Sequence, residues 1–241
     1  MHVIAEIAEA ASDGAPMAIL RKRPGGGAVV PTVLLFHDGP GIRSVTHEFA
    51  AKLAAEGYDV LVPDLYHRHG RLLGWELHER RADPTIVDRL WELLGSLTDD
   101  GVQADVDATL QAVDVRGPLL AIGFCVGARA VFRTMMRLPE RLVAGAMWHP
   151  SYLVDDTPDS PHRTAAQLRG ALFIGIGEAD TMQPLAVHLP FLEAVRDHPD
   201  VEVAVYGGAE HGYTWPGWPG YDEAAAAASF AATLRLFRAA R

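Results

Sequence analysis

Leu119-Leu120-Ala121-Ile122-Gly123-Phe124-Cys125-Val126-Gly127-Ala128-Arg129 is the stretch on which the reading of this chain turns. Its opening apolar run, Leu119–Ile122, reads as a strand covered on both faces. The segment that follows, Val126–Arg137, has the apolar spacing of an amphipathic helix. Between them stands a glycine, one residue, a cysteine, one residue and a second glycine. A side chain on a strand-to-helix turn this sharp projects from strained backbone, and small residues two places to either side let the chain bend so tightly. The turn also sets the cysteine at a helix N-terminus, whose partial positive charge favours a thiolate. A free cysteine met alone is ordinarily a buried core residue. Strand, flanking glycines and following helix together make Cys125 a candidate nucleophile.

On both sides of this stretch, short apolar runs alternate with amphipathic segments, the pattern of a mainly parallel sheet. Strands are expected at Met17–Arg23, Val29–Phe36, Tyr58–Pro63, Pro118–Phe124, Leu142–Trp148, Ala171–Ile176 and Val201–Tyr206. Helices are expected at Val45–Glu56, Pro84–Leu94, Gln103–Val113, Val126–Arg137, Pro184–Asp197 and Glu223–Ala240. The turn-rich Pro24-Gly25-Gly26-Gly27 predicts a hairpin between the first two strands. Most later strands are nearly continuous apolar runs, whereas Val201–Tyr206 alternates more and suits a place nearer an edge. The polar segment His67–Asp83 reads as a loop or short cap. The fold class that follows is α/β: a single α/β-hydrolase domain over residues 1–241, with a mostly parallel central sheet and helices on both faces.

Composition narrows the function. Apolar residues make up 49% of the 241 residues, enough for a large core. The net charge of −10 argues against nucleic acid, which demands a basic stripe, and against an anionic membrane surface. One cysteine cannot form an internal disulfide. The N-terminal residues lack a signal-peptide layout, and no apolar run approaches the roughly 18 residues of a membrane span. A cytoplasmic protein, monomer or homodimer, is expected.

In open α/β sheets, function gathers at the carboxyl ends of the strands, and the hydrolase order is nucleophile, acid, histidine. Ala171–Ile176 runs into Gly177-Glu178-Ala179-Asp180, which makes Asp180 the expected acid, with Glu178 as its rival. Val201–Tyr206 runs into Gly207-Gly208-Ala209-Glu210-His211, and His211 stands in that glycine-rich loop as the expected base. His211 would take the thiol proton, and Asp180 would hold the imidazole in the right tautomer. Two backbone N–H groups are needed for the developing oxyanion. Val126, directly after the nucleophile, is one. The loop His37-Asp38-Gly39-Pro40-Gly41 offers the other; Pro40 has no N–H, so Gly39 is the candidate.

These residues resemble the dienelactone hydrolase family, a cysteine-nucleophile branch of the α/β-hydrolases, over most of the chain. The marks are Phe36-His37-Asp38-Gly39-Pro40-Gly41, Gly57-Tyr58, Pro63-Asp64-Leu65-Tyr66 and Gly123-Phe124-Cys125-Val126-Gly127. They continue with Ser160-Pro161-His162, Asp180, His211-Gly212-Tyr213 and Tyr221-Asp222-Glu223-Ala224. The resemblance implies an acidic residue that helps generate the thiolate, a place taken here by Asp38; capping the loop is that residue's alternative role. It also implies arginines for a substrate carboxylate. Arg80 or Arg81 matches one of them, and we take Arg81 forward; Tyr213-Thr214-Trp215 holds none where another would fall. Tyr66, Trp148, Trp215 and Trp218 suggest a more aromatic pocket, with core packing as the alternative for each.

His47-Glu48 and His78-Glu79 lack the second histidine of a zinc helix, His67 and His69 lack further metal ligands, and Gly175-x-Gly177 lacks the third glycine of a dinucleotide loop. No cofactor or metal is expected. The expected activity is hydrolysis of a small-molecule ester, lactone or thioester. The alternative is a non-catalytic member, redox-responsive or ligand-binding, with Cys125 as a sensor thiol.

Overall fold

A computed structural model of the chain describes residues 2–115 and 118–240. It forms two compact units that meet in sequence between Leu119 and Leu120.

The first unit opens with β1 (Val3–Ser12) and β2 (Ala15–Pro24), followed by β3 (Thr32–Phe36), α1 (Ser44–Ala55) and β4 (Asp59–Pro63). Three helices complete it: α2 (Leu77–Ala82), α3 (Thr85–Ser96) and α4 (Asp99–Ala112). Its strands lie in the order β1-β2-β4-β3, with only the β3–β4 pair parallel. The hairpin therefore falls one strand earlier than the glycine run Gly25–Gly27 suggested. It is closed by Asp13 and Gly14, both left-handed at φ 51° and 77°, the geometry a two-residue hairpin turn requires. β2, which ends at Pro24, pairs with β1 and β4, and Gly25–Gly27 lie in the connection to β3. β1 escaped the sequence reading because it alternates between exposed and half-buried positions, and its stability comes from cross-strand partners. Glu6, for example, pairs with Arg21 and Arg23. The polar segment before α3 is mostly loop, as expected, and α2 occupies its end.

The second unit begins with β5 (Leu119–Phe124) and continues through α5 (Val126–Arg137), β6 (Leu142–Trp148), α6 (Pro161–Thr164) and β7 (Ala171–Gly177). It ends with α7 (Leu185–Val195), β8 (Val201–Tyr206) and α8 (Glu223–Ala239). Its strands run β5-β6-β7-β8 in order, and β6–β7 and β7–β8 pair in parallel. β8 ends the row, and its Val203 and Val205 are exposed, in keeping with its weaker apolar run. The buried rings of Phe124, Phe132, Trp148, Phe173, Phe191 and Phe237 form much of the core.

Register decides where the connecting loops emerge. Trp148, the last residue of β6, pairs with Gly175, and Gly177, the last of β7, pairs with Tyr206, the last of β8. Parallel strands that end in step release their following loops on one edge. Residues 149–152, 178–183 and 207–213 thus start side by side.

Candidate active site

Cys125 caps the N-terminus of α5 with φ 52° and ψ −117°, a left-handed backbone that a side chain rarely adopts. The reason lies two residues earlier. A Cβ on Gly123 would stand 2.1 Å from the Gly127 carbonyl oxygen, so strand and helix close on each other here only because residue 123 has no side chain. The strained residue is pinned on both sides: its N–H donates to the Trp148 carbonyl (3.2 Å), and its carbonyl accepts from the N–H groups of Ala128 and Ser151 (3.1 and 3.0 Å). The thiol is half-buried. Val126 follows as the first residue of α5, in the turn whose N–H groups have no intrahelical acceptor.

Of the two carboxylates considered, Asp180 is buried and Glu178 is exposed. One oxygen of Asp180 accepts from the backbone N–H groups of Met182 and Gln183 (2.9 and 2.7 Å), and the other accepts from Nδ1 of His211 at 2.6 Å. That bond leaves Nε2 as the nitrogen able to exchange a proton. Burial alone would push His211 down. The bonded Asp180 carboxylate and the sulfur of Cys125 nearby outweigh it and raise the imidazole from 6.5 to about 10. Nε2 is buried, and the sulfur also meets the Ser151 hydroxyl, 3.2 Å away.

The loop carrying His211 is tied down from behind. The Trp218 indole donates to the His211 carbonyl (3.0 Å), and the Tyr213 hydroxyl bonds Ser229 of α8 (2.8 Å), which in turn meets the Tyr206 hydroxyl (3.0 Å). Tyr213 reaches this position because residue 175 is glycine: a Cβ there would lie 2.4 Å from the phenol oxygen. Burial pushes the Tyr213 phenol up, so it serves as a neutral hydrogen-bonding group.

Cys125, Val126, Asp180 and His211 belong to the second unit, as do Trp148 and Trp215. Trp148 is buried, donates to Thr233 (3.0 Å) and meets Phe124 edge-on. Trp215 is nearly buried against Phe124, with ring centres 4.4 Å apart. The other expected residues lie in the first unit. Asp38 is buried in a forked ion pair with Arg43, whose two terminal nitrogens each face one carboxylate oxygen. The Gly39 carbonyl accepts from the buried Tyr66 hydroxyl (2.8 Å), and Arg81 lies exposed on α2. In Ser160-Pro161-His162 the serine hydroxyl accepts from the Asp155 N–H (2.9 Å) and bonds His162 Nδ1 (2.8 Å), which gives that motif a part in shaping its loop.

Sequence reasoning passed over the loop after β6. His149 packs edge-on against His211 with ring centres 5.0 Å apart, and its Nε2 bonds the Thr214 hydroxyl (2.9 Å). Ser151 touches the sulfur, and Tyr152 stands within electrostatic reach of it. The signal was available: Trp148 ends the strand beside the nucleophile strand, and strand ends are where chemistry gathers. His188 of α7 was a second omission. Burial pushes it down against the pull of Asp180, so it stands behind the pair as a neutral ring.

Comparison with known proteins points to one family. The family model described as "Dienelactone hydrolase family" matches residues 19–241. A Salmonella typhimurium protein named "Putative carboxymethylenebutenolidase" is 27% identical over 234 residues, covering 93% of this chain and 83% of its own. The crystal structure of a "Putative Dienelactone Hydrolase" from Klebsiella pneumoniae superposes with a TM-score of 0.83 at 25% identity, over 99% of both chains. A dienelactone hydrolase-like promiscuous phosphotriesterase from metagenomic libraries shares the fold, with a TM-score of 0.76 at 22% identity over 100% of this chain and 99% of that one. The eight described strands, the strained residue between β5 and α5 and the family match over nearly the whole length have one common source: the chain belongs to the dienelactone hydrolase family of α/β-hydrolases.

Proposed function

We propose that this protein hydrolyses a small carboxylic ester, lactone or thioester through Cys125, His211 and Asp180, by way of a thioester intermediate. The observation that carries the reading is the bonded Asp180–His211 pair beside a cysteine held at the strained head of a helix. The raised imidazole holds its proton at neutral pH, and the Asp180 carboxylate balances that charge. The sulfur attacks the acyl carbon, and the carbonyl electrons move onto oxygen, towards the Val126 N–H. When the tetrahedral species collapses, the bond to the leaving oxygen breaks and His211 gives its proton to that oxygen. Water then loses a proton to His211 and attacks the thioester. The acid leaves, and the sulfur regains the electron pair of the broken C–S bond.

Aromatic side chains dominate the surroundings of the imidazole: Trp215 packs at a tilt against Phe124, and His149 and Tyr213 meet edge-on. Amides, whose nitrogen leaves poorly without strong protonation, are disfavoured.

The test is turnover of p-nitrophenyl acetate and a panel of small lactones by wild type, Cys125→Ala and His211→Ala. Both variants should lose at least about 10³-fold in kcat/KM. Turnover unchanged in either one would end the reading.

A further inference from the structure

We infer that Ser151 is a further catalytic residue: its hydroxyl donates a hydrogen bond to the Cys125 sulfur and holds the attacking atom in its ionised form. The inference rests on Cys125 being the nucleophile, as proposed above. Ser151 is buried, and its oxygen lies 3.2 Å from the sulfur. Among the described residues, the sulfur is the one side-chain partner of that hydroxyl. A buried O–H with a single partner directs its proton to it, and a sulfur carrying negative charge is the better acceptor.

The chain goes to some length to place this hydroxyl. On one side His149 is left-handed at φ 38°, and on the other Tyr152 is left-handed at φ 59°. Three bonds hold the loop against that strain. The His149 N–H donates to the Gly175 carbonyl (2.8 Å), and the Ser151 N–H donates to the Cys125 carbonyl (3.0 Å). The Tyr152 carbonyl accepts from Arg129 of α5 (2.6 Å). The bond from Ser151 to residue 125 couples the two backbones directly, so the hydroxyl travels with the nucleophile. Non-glycine residues in such conformations cluster where geometry serves chemistry.

The arrangement also divides labour around the sulfur. The sulfur is bonded to Ser151 and lies beside the imidazole of His211. The hydroxyl keeps one lobe of the sulfur occupied, while His211 carries a proton to the leaving group and from the attacking water. Other titratable or charged groups of the second unit near the sulfur are Tyr152 beside it, Asp180 and His188 behind the imidazole, His149 against the imidazole face, and Arg129 on α5. Ser151 differs from all of them in having no charge of its own.

The experiment is the rate of iodoacetamide alkylation of Cys125 against pH, in wild type, Ser151→Ala and Ser151→Thr, together with kcat/KM for p-nitrophenyl acetate. Ser151→Ala should move the inflection of the alkylation profile upward by about one pH unit, the equivalent of one charge-assisted hydrogen bond. At pH 7 it should lower kcat/KM about tenfold. Ser151→Thr, which keeps the hydroxyl, should return the inflection towards wild type, and equal urea midpoints for wild type and Ser151→Ala would confirm an intact fold. An inflection that stays in place, or moves down, in a folded Ser151→Ala protein overturns the inference. The alkylation profile needs no ester turnover, so a protein that cleaves none of the esters would sink the proposed function while Ser151 is still judged on its own.

Discussion

Asp38 and Asp180 are the same residue type in like positions. Asp38 lies two residues past β3 and Asp180 three past β7, and each is 4% exposed. Their partners differ. Both oxygens of Asp38 face the guanidinium of Arg43, a group that keeps its proton at any working pH. Asp180 gives one oxygen to two backbone N–H groups and the other to an imidazole. A guanidinium fork occupies both oxygens and has no proton to pass on, so it holds a loop in shape. An imidazole held through Nδ1 still has Nε2, and whatever charge the carboxylate steadies can be used there. The partner, more than the carboxylate, decides whether a buried acid is a strut or part of a reaction.

Four experiments would break or sharpen that contrast. Asp180→Asn should produce the largest effect, a loss on the order of 10³–10⁴-fold in kcat with the fold retained, because the amide favours the wrong imidazole tautomer. A loss below tenfold would take Asp180 out of the reaction. Arg43→Met should act on stability, lowering the free energy of unfolding in urea by about 3 kcal/mol, because it removes one partner of a buried ion pair. If Arg43→Met leaves the urea midpoint unmoved, the forked pair is no strut.

Tyr213→Phe removes the bond to Ser229 behind the histidine loop; about 1 kcal/mol of stability and a few-fold drop in kcat/KM are expected. A drop as large as that of Asp180→Asn would move Tyr213 into the reaction itself.

The fourth experiment is a pH series. His211 is raised in the folded chain from 6.5 to about 10, so its contribution to stability is complete below about pH 6.5 and disappears as pH climbs through about 10. The difference in unfolding free energy between wild type and His211→Gln should therefore shrink between pH 6.5 and pH 10. An Arg43→Met difference should change far less over that range, because the guanidinium does not titrate there. Equal slopes for the two variants would erase the distinction between the pairs.

Much of this was readable beforehand. The helix after Cys125 runs over Val126–Arg137 as its apolar spacing indicated, and the strands that end at Phe124 and Trp148 end where their apolar runs do. Those signals are local: a buried parallel strand needs apolar residues on both faces, and a sharp elbow needs residue 123 without a side chain. What escaped was set by partners, some close in sequence and some distant. β1 is held by β2, and nothing in its own residues except the Asp13-Gly14 turn announces that. Asp38 is read from the sequence as an acid near the thiol or as a loop cap, and its pairing with Arg43, five residues on, was not foreseen. Ser151 carried no motif at all; contact with Cys125, 26 positions away, gave it a place in the site.

The order of elements, the elbow and the sequence of thiol, acid and histidine along the chain are properties of the sequence by itself, because each depends on neighbours within a few residues. Which carboxylate meets the imidazole and which hydroxyl meets the sulfur were decided only by the tertiary structure. Those contacts depend on strands ending in step, and register is a relation between segments that no single segment contains.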